Sequence, residues 1–412
     1  MKILIISPVL PYRNVRHGGG AILFSLMEAL ARRNDVALAA MREPFEKEKV
    51  EELKSLVEVV VDFPRRETSE ESLAALANGG FASKARLWAR GFLNDAFSVP
   101  TPDVKAFSDL VLAHLSERRY DVAQVEFPQW LSYFVKKIRA PIVVGAAHDV
   151  VFKAYDRMRV QKKNVAHRAL ATLRYALEKR NELATYRRLT RVYALSDFDK
   201  NLLLRAEPTL KAETRRAGFS PPAISSDATR ERNMILFVGY LARGENQDGA
   251  RFMIDDVMPL VWKTIPDAQL HVVGGGAPRW LLEKGDGRTI FFHGYQENLR
   301  AFYERARVMT APLFVGGGII TKLIESLMNG LPAVSTSVGN EGVQAPPNEA
   351  ILIADSAEAF AQAIARLIQD DELHRRMSEA ARRHFEQNFR IERVAESLEE
   401  SYRRILSEHA MG

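Results

Sequence analysis

The sequence contains no cysteine. A disulfide framework and a thiolate metal centre are therefore excluded, which suits a reducing compartment. It also lacks an apolar run of the roughly 18 residues that a membrane-spanning helix needs. Its opening, MKILIISPVLPYRN, holds only a short apolar stretch cut by Pro8 and Pro11 and carries no cleavage-site pattern, so it reads as a first β-strand rather than a signal peptide. A completed dinucleotide fingerprint is missing too. Gly18, Gly19 and Gly20 stand well past the first strand, and Leu23 occupies the last glycine position of G-x-G-x-x-G, which disfavours a dinucleotide-dependent oxidoreductase.

What the chain does have is length and a repeating β-α rhythm. At 412 residues it is too long for one ordinary domain, and two are expected. Hydrophobic and charged contents of 47% and 27% belong to the soluble globular class. Lys2–Ser7 reads as a strand, Ala21–Arg32 as a helix with Ile22, Leu23, Leu26 and Leu30 on one face, and Val36–Ala40 and Val57–Phe63 as further strands. Strands are also read at 121–126, 141–146 and 191–195. A second rhythm begins at Met234, with strands at Ile235–Val238, Leu270–Val273, Ile290–Phe292 and Val308–Pro312. Such alternation predicts parallel sheets covered by helices on both faces. Residues 207–232, rich in Pro, Ser and charge, read as a linker.

The most informative stretch is LFVGGGIITKLIESLMNGLPAVSTSVGNEG, Leu313–Gly342. It reads as strand, glycine loop, helix, strand, loop. Gly316, Gly317 and Gly318 let the backbone approach a ligand closely. The helix beyond them carries Lys322 and Glu325 and is stopped by Gly330 ahead of Pro332. Amides at a helix start lack intrahelical partners and sit at the positive end of the dipole, so a phosphate fits there. Lys322 adds a full charge, and Glu325 one turn deeper can accept hydrogen bonds from a vicinal diol such as a ribose. The plainer reading is a flexible turn and a surface i,i+3 ion pair worth roughly 0.2–0.5 kcal/mol.

The pattern GGG-x-x-x-K-x-x-E, then G-x-P-x-V-S-T and G-x-E-G, resembles the donor-binding region of glycosyltransferase family 4. It is carried here by Gly316, Gly317, Gly318, Lys322, Glu325, Gly330, Pro332, Val334, Ser335, Thr336, Gly339, Glu341 and Gly342. Much of that family has a second Glu eight positions before the one at Glu325, where this chain has Gly317, a variant shared by a glycine-rich branch. The resemblance implies the GT-B architecture: two doubly wound, Rossmann-like α/β domains facing across a cleft. Residues 1–206 would form the acceptor-side domain, 207–232 the linker, 233–385 the nucleotide-sugar domain and 386–412 a helix crossing back. It implies a retaining hexosyl- or related glycosyltransferase that uses neither metal nor cofactor. Such an enzyme moves a sugar from a nucleoside diphosphate sugar to a glycan, lipid-linked or other hydroxyl acceptor in cell-surface polysaccharide or glycoconjugate synthesis, in the cytoplasm at the inner face of the membrane.

The same resemblance distributes the roles. Gly317, Gly318 and Lys322, with the amides around Ile320 and Thr321, would hold the diphosphate, Glu325 the ribose, and Tyr295 would flank the base. Family members carry G-R-L followed by a lysine that also grips the diphosphate. Here Gly239-Tyr240-Leu241-Ala242-Arg243-Gly244-Glu245-Asn246 lacks the first arginine and puts Asn246 near the lysine position, leaving Arg243 as the substitute cation. Gly18, Gly19 and Gly20 would face the donor phosphates from the first domain. His148, past the end of a strand, would bind or polarise the reacting sugar, so that His148 and Lys322 are the expected catalytic residues. On position alone His148 reads as a histidine holding a loop. A sugar-nucleotide epimerase of the same architecture and a non-catalytic binding protein are the rival readings.

Three features stand outside that motif. Lys153–Arg191 holds twelve cations against three carboxylates, interleaved with Val165, Leu170, Leu173, Leu177 and Leu183. This suits peripheral contact with an anionic membrane, although solvent-facing charged helices fit it as well, and no nucleic acid is expected. Residues 67–102, with Leu87, Trp88, Phe92 and Phe97, form an irregular excursion that could offer an acceptor or membrane surface. Asp197-Phe198-Asp199 spells a D-x-D metal motif, but Ser196 with Asp199 three residues on is a helix start.

Overall fold

The computed structural model describes residues 1–13, 15, 18–66, 100–138, 142–162, 164–221, 230–316 and 318–411. Most of the 67–102 excursion, and Gly317, lie outside the described residues.

The chain divides into two units, residues 1–218 with 394–412 and residues 219–393. Each is built on one parallel sheet flanked by helices. The first sheet comprises β1 (Lys2–Ser7), β2 (Asp35–Arg42), β3 (Glu58–Pro64), β4 (Val122–Glu126), β5 (Val143–Ala147), β6 (Arg191–Ala194) and β7 (Ala212–Thr214), in the order β3-β2-β1-β4-β5-β6-β7. The second comprises β8 (Met234–Val238), β9 (Gln269–Val273), β10 (Ile290–Phe292), β11 (Val308–Ala311), β12 (Ala333–Ser335) and β13 (Ile351–Ile353), in the order β10-β9-β8-β11-β12-β13. The central strands are unbroken buried apolar runs, as a parallel sheet covered on both faces requires; Ile3, Leu4, Ile5 and Ile6 are all fully buried. The expected pair of parallel-sheet α/β domains is therefore what the chain forms. Each strand order reverses once, between β1 and β4 and between β8 and β11. At such a reversal the loops leave in opposite directions, and a crevice opens at the carboxyl ends of the strands.

Three boundaries differ from expectation for identifiable reasons. The first helix is Gly18–Ala31, so Gly18, Gly19 and Gly20 are its opening turn rather than a loop ahead of it. A Cβ on Gly20 would lie 3.1 Å from the Val15 side chain, so the bare backbone lets the preceding chain fold back onto that turn. The basic stretch is two helices, Val151–Gln161 and Val165–Tyr186, broken around Asn164, whose side chain caps the second. The segment read as a linker contributes β7, because Glu213 is tied to Arg191 at 3.2 Å and to Arg404 at 2.7 Å; the proline- and serine-rich composition begins only at Ser220. The helix Ile391–Met411 packs into the first unit. There the hydroxyl of fully buried Tyr402 donates to Gln124, and Asn34 donates to Glu399 at 2.7 Å.

Candidate functional site

In the second unit the segments after β8 and β11 border the strand-order reversal. Helix Thr321–Met328 follows β11, and its N-cap, Ile320, has extended backbone and no side chain that caps the first amides. The start of this helix is therefore free of the Ser/Thr/Asp cap that would compete with an anion. Lys322, in the first turn, sends Nζ to 3.2 Å from Asn246 Oδ1, and Asn246 is held in turn by donating to the Tyr240 carbonyl at 2.9 Å. The same ammonium lies 4.9 Å from the centre of the Phe237 ring. Burial pulls the Lys322 pKa down to about 8, against the opposing pull of Glu245 and Glu325. Glu325, one turn on, is pushed up by burial, and its Oε2 accepts from the Tyr303 hydroxyl at 2.7 Å. A half-buried ammonium whose charged form burial disfavours, standing in the first turn of a helix without a side-chain cap, is chemically suited to an anion.

The rest of the motif holds this arrangement in place. Ser335 Oγ donates to the Ala311 carbonyl at 2.9 Å and Thr336 Oγ1 to the Leu313 carbonyl, so both hydroxyls grip the backbone leading into the glycine loop. A Cβ on Gly342 would sit 3.0 Å from Ile319 Cα, so that glycine lets the loop close down. Gly330 has φ +57°, the left-handed stop the sequence predicts. Below it, Arg230 donates to the carbonyls of Tyr303 (2.8 Å), Ala306 (2.8 Å), Asn329 (2.8 Å) and Gly330 (3.1 Å). One guanidinium thus neutralises the carbonyl ends of helices Arg300–Arg305 and Thr321–Met328 together. Beside them, Gly274 (φ +143°) comes so close to the Gly239 carbonyl that a Cβ would overlap it, which locks the ends of β8 and β9.

The other expected donor residues are less engaged. Gly318 and Thr321 flank Ile320 at the helix start, whereas Gly317 lies outside the described residues. Tyr295 is 57% exposed, three residues past β10. Arg243 is the N-cap of helix Gly244–Phe252; its exposed guanidinium lies 3.9 Å from Glu245, and Asn246 is the partner that reaches Lys322.

In the first unit, His148 follows β5 and is 4% exposed. Its Nε2 lies 2.5 Å from Glu126 Oε2, at the end of β4. Arg215, just past β7, donates to the same carboxylate at 2.9 and 3.3 Å, and Gln124 Nε2 donates to Oε1. Burial alone would raise the Glu126 pKa, but Arg215 and His148 outweigh it and hold the carboxyl at about 2. Phe127 takes φ +51°, rare for an aromatic, and so lays its ring on His148 with centroids 4.0 Å apart, with Trp130 stacked on Phe127 at 4.7 Å. Glu126 and Arg215 escaped the sequence reading. A lone carboxylate closing the apolar strand VAQVE was a usable signal; the arginine's partner, 89 residues away, was not. Asp197 and Asp199 do open a helix: Ser196 Oγ accepts from Asp199 N at 3.1 Å, and the two carboxylates are engaged by Lys200, Thr214, Arg216 and Lys153.

Comparison with known proteins adds to this geometry. Residues 232–370 match the model of the family "Glycosyl transferases group 1". A stretch of 139 residues is 29% identical to the "uncharacterized 44.6 kDa protein in cps region" of Klebsiella pneumoniae, spanning 32% of this chain and 36% of that protein. Among solved structures, sucrose-phosphate synthase from Thermosynechococcus elongatus superposes with a TM-score of 0.70 at 17% identity, over 99% of this chain and 100% of that one. Anabaena Alr3699/HepE in complex with UDP superposes with a TM-score of 0.66 at 14% identity, over 97% and 99% of the two chains. The group 1 glycosyl transferase pattern thus runs through residues 232–370, on a chain whose two parallel-sheet units have the GT-B fold of these structures.

Proposed function

We propose that this chain is a retaining glycosyltransferase. It moves a sugar from a nucleoside diphosphate sugar to a hydroxyl of a glycan or lipid-linked acceptor in cell-surface polysaccharide synthesis, without a metal. The observation that carries this reading is the pairing of Lys322 with Asn246 beside an uncapped helix start at the β8/β11 reversal, with Glu325 one turn deeper. In that geometry the ammonium and the helix amides face the diphosphate, whose negative charge grows as the bond to the sugar breaks, and electrostatic stabilisation of that charge is the main catalytic contribution. Glu325, steadied by Tyr303, takes the ribose hydroxyls, and Tyr295 flanks the base. His148 binds or polarises the reacting sugar. The UDP bound to Alr3699/HepE and the cps region of the Klebsiella relative support the donor class and the setting. An epimerase would share the donor site; products formed with and without acceptor separate the two activities.

The test is thermal stabilisation by a panel of nucleoside diphosphates and their sugar conjugates. A ligand at a hundredfold excess over its dissociation constant stabilises by about 2.7 kcal/mol. One base should stand out, and Lys322→Ala should abolish its shift; no shift with any nucleotide sinks the reading. The shift should also depend on pH. Lys322 is the anion-binding ammonium below its pKa of about 8 and neutral above it, so affinity should hold to pH 7 and then fall by up to about tenfold per pH unit.

A second surface supports the membrane setting. Met158, Val160, Val165, Leu170 and Leu173 are exposed on the two basic helices, from 39% to 81%, among the exposed cations Lys162, Arg168 and Arg180. Leu183 faces the core instead. The twelve cations of Lys153–Arg191 against three carboxylates exceed the net charge of +6 for the whole chain, so this charge is local. An anionic bilayer complements both the charge and the uncovered apolar side chains. The chain should sediment with phosphatidylglycerol vesicles and not with phosphatidylcholine vesicles, and Val165→Ser/Leu173→Ser or high salt should release it. Equal sedimentation with both lipids would refute the contact.

A further inference from the structure

The group that controls His148 is Glu126. We propose that Glu126 is a positioning residue: it pins the His148 ring with Nε2–H directed at its own carboxylate and leaves Nδ1 as the one atom that meets a substrate hydroxyl. The inference deepens the donor reading above by naming which ring nitrogen works and in which tautomer.

Three observations carry it. Gln124 and Arg215 donate to Glu126 Oε1 and Arg215 also to Oε2, where His148 Nε2 makes the remaining contact. A carboxylate so held accepts and does not donate, so the proton shared with His148 belongs to Nε2. The ring itself is fixed. Phe127 lies against it at a 15° interplanar angle, and Trp130 backs Phe127 at 10°. Finally, Nδ1 is buried and has no hydrogen-bond partner among the described residues. A buried polar atom without a partner costs free energy and points to a missing ligand. With Nε2 carrying the proton, Nδ1 of the neutral ring offers a lone pair, which suits the O–H of a sugar. The left-handed backbone at Phe127, which places the stacking ring, is the kind of local strain that collects at working sites.

The arrangement also fixes what removal of the charge must do. In Glu126→Gln the Arg215 guanidinium and the Gln124 amide still call for an oxygen on their side. The new NH2 then turns towards His148, makes Nε2 an acceptor and drives the proton to Nδ1. One substitution inverts the tautomer while keeping the shape.

The experiment is ¹⁵N NMR of the full chain labelled at histidine, with His148 assigned by comparison with His148→Asn and read at a pH where the ring is neutral. The wild type should show the Nε2–H tautomer and Glu126→Gln the Nδ1–H tautomer. Turnover of the sugar nucleotide should fall about a hundredfold in kcat with the donor KM little changed. A wild-type proton on Nδ1 overturns the proposal, and that spectrum decides even if Glu126→Gln does not fold. A folded Glu126→Gln with unchanged tautomer and kcat overturns it equally. The spectra need no donor, so a wild type that turns over no sugar nucleotide refutes the donor reading and leaves the tautomer result to be judged separately.

Discussion

Replacing Lys322 with methionine is expected to lower kcat/KM for the sugar nucleotide by about 10²–10³, mostly in kcat, and to leave the protein at least as stable as before. The activity loss follows from the position of the ammonium. It stands at the helix start where the leaving diphosphate would gain charge, and removing one such electrostatic stabiliser costs roughly 2.7–4 kcal/mol of barrier. The stability argument runs the other way. Burial holds the folded-state pKa at about 8, below the unfolded value of about 10.4. The charged form is therefore disfavoured in the native state. The penalty is fully present below pH 8 and is relieved as pH rises from there towards 10. Methionine keeps the length and removes the charge. A thermal scan and steady-state kinetics on the same preparation check both halves; loss of activity together with loss of stability would mean that Lys322 holds the fold rather than the substrate.

Arg215→Met should be the most destabilising single change in the first unit, by about 3–5 kcal/mol, because it leaves Glu126 buried without its cation. The double variant Glu126→Gln/Arg215→Met should recover most of that loss, since neither buried charge remains. The pH dependence is a further signature. In the wild type Glu126 titrates at about 2, against about 4.3 unfolded, so its contribution is present above pH 4.3 and disappears as pH falls towards 2. Without Arg215 burial dominates, the pKa moves up and the carboxyl protonates. The gap between variant and wild type should then be widest at neutral pH and narrow below pH 4. Urea unfolding at pH 7 and pH 3.5 measures both; a constant gap would show that Arg215 stabilises by packing alone.

How much of this was legible beforehand depends on the range of each interaction. The two sheets follow from apolar runs such as KILIIS and MILFV, whose pattern is local, and the helix that carries Lys322 and Glu325 was readable because it directly follows a strand and is closed by Gly330. Gly330 and Ser196 were readable for the same reason, as caps acting over a few residues. What the reading missed acts across the chain. Tyr303 reaches Glu325 from a helix that carries no motif, and Arg230 collects carbonyls from two helix ends. β7 was hidden because three residues held at a sheet edge by distant arginines look like any polar connection. The opening turn at Gly18–Gly20 was misplaced because three glycines argue against a helix on propensity, and tertiary packing overrides that preference.

The first unit is discontinuous in sequence, and this gives it a timetable. Its sheet needs helix Ile391–Met411, which brings Tyr402 to Gln124 and Ser401 to Tyr193. On a ribosome, residues 219–393 are made in between, which at roughly 5–20 residues per second takes on the order of 10–35 s. Throughout that interval the nascent first sheet waits with the buried face of β4 uncovered, while the second unit, continuous in sequence, can finish on its own. A chain that stalls near residue 390 would thus release a completed second unit tethered to an unfinished first one, and the half of the molecule made earliest would be the half in need of a chaperone.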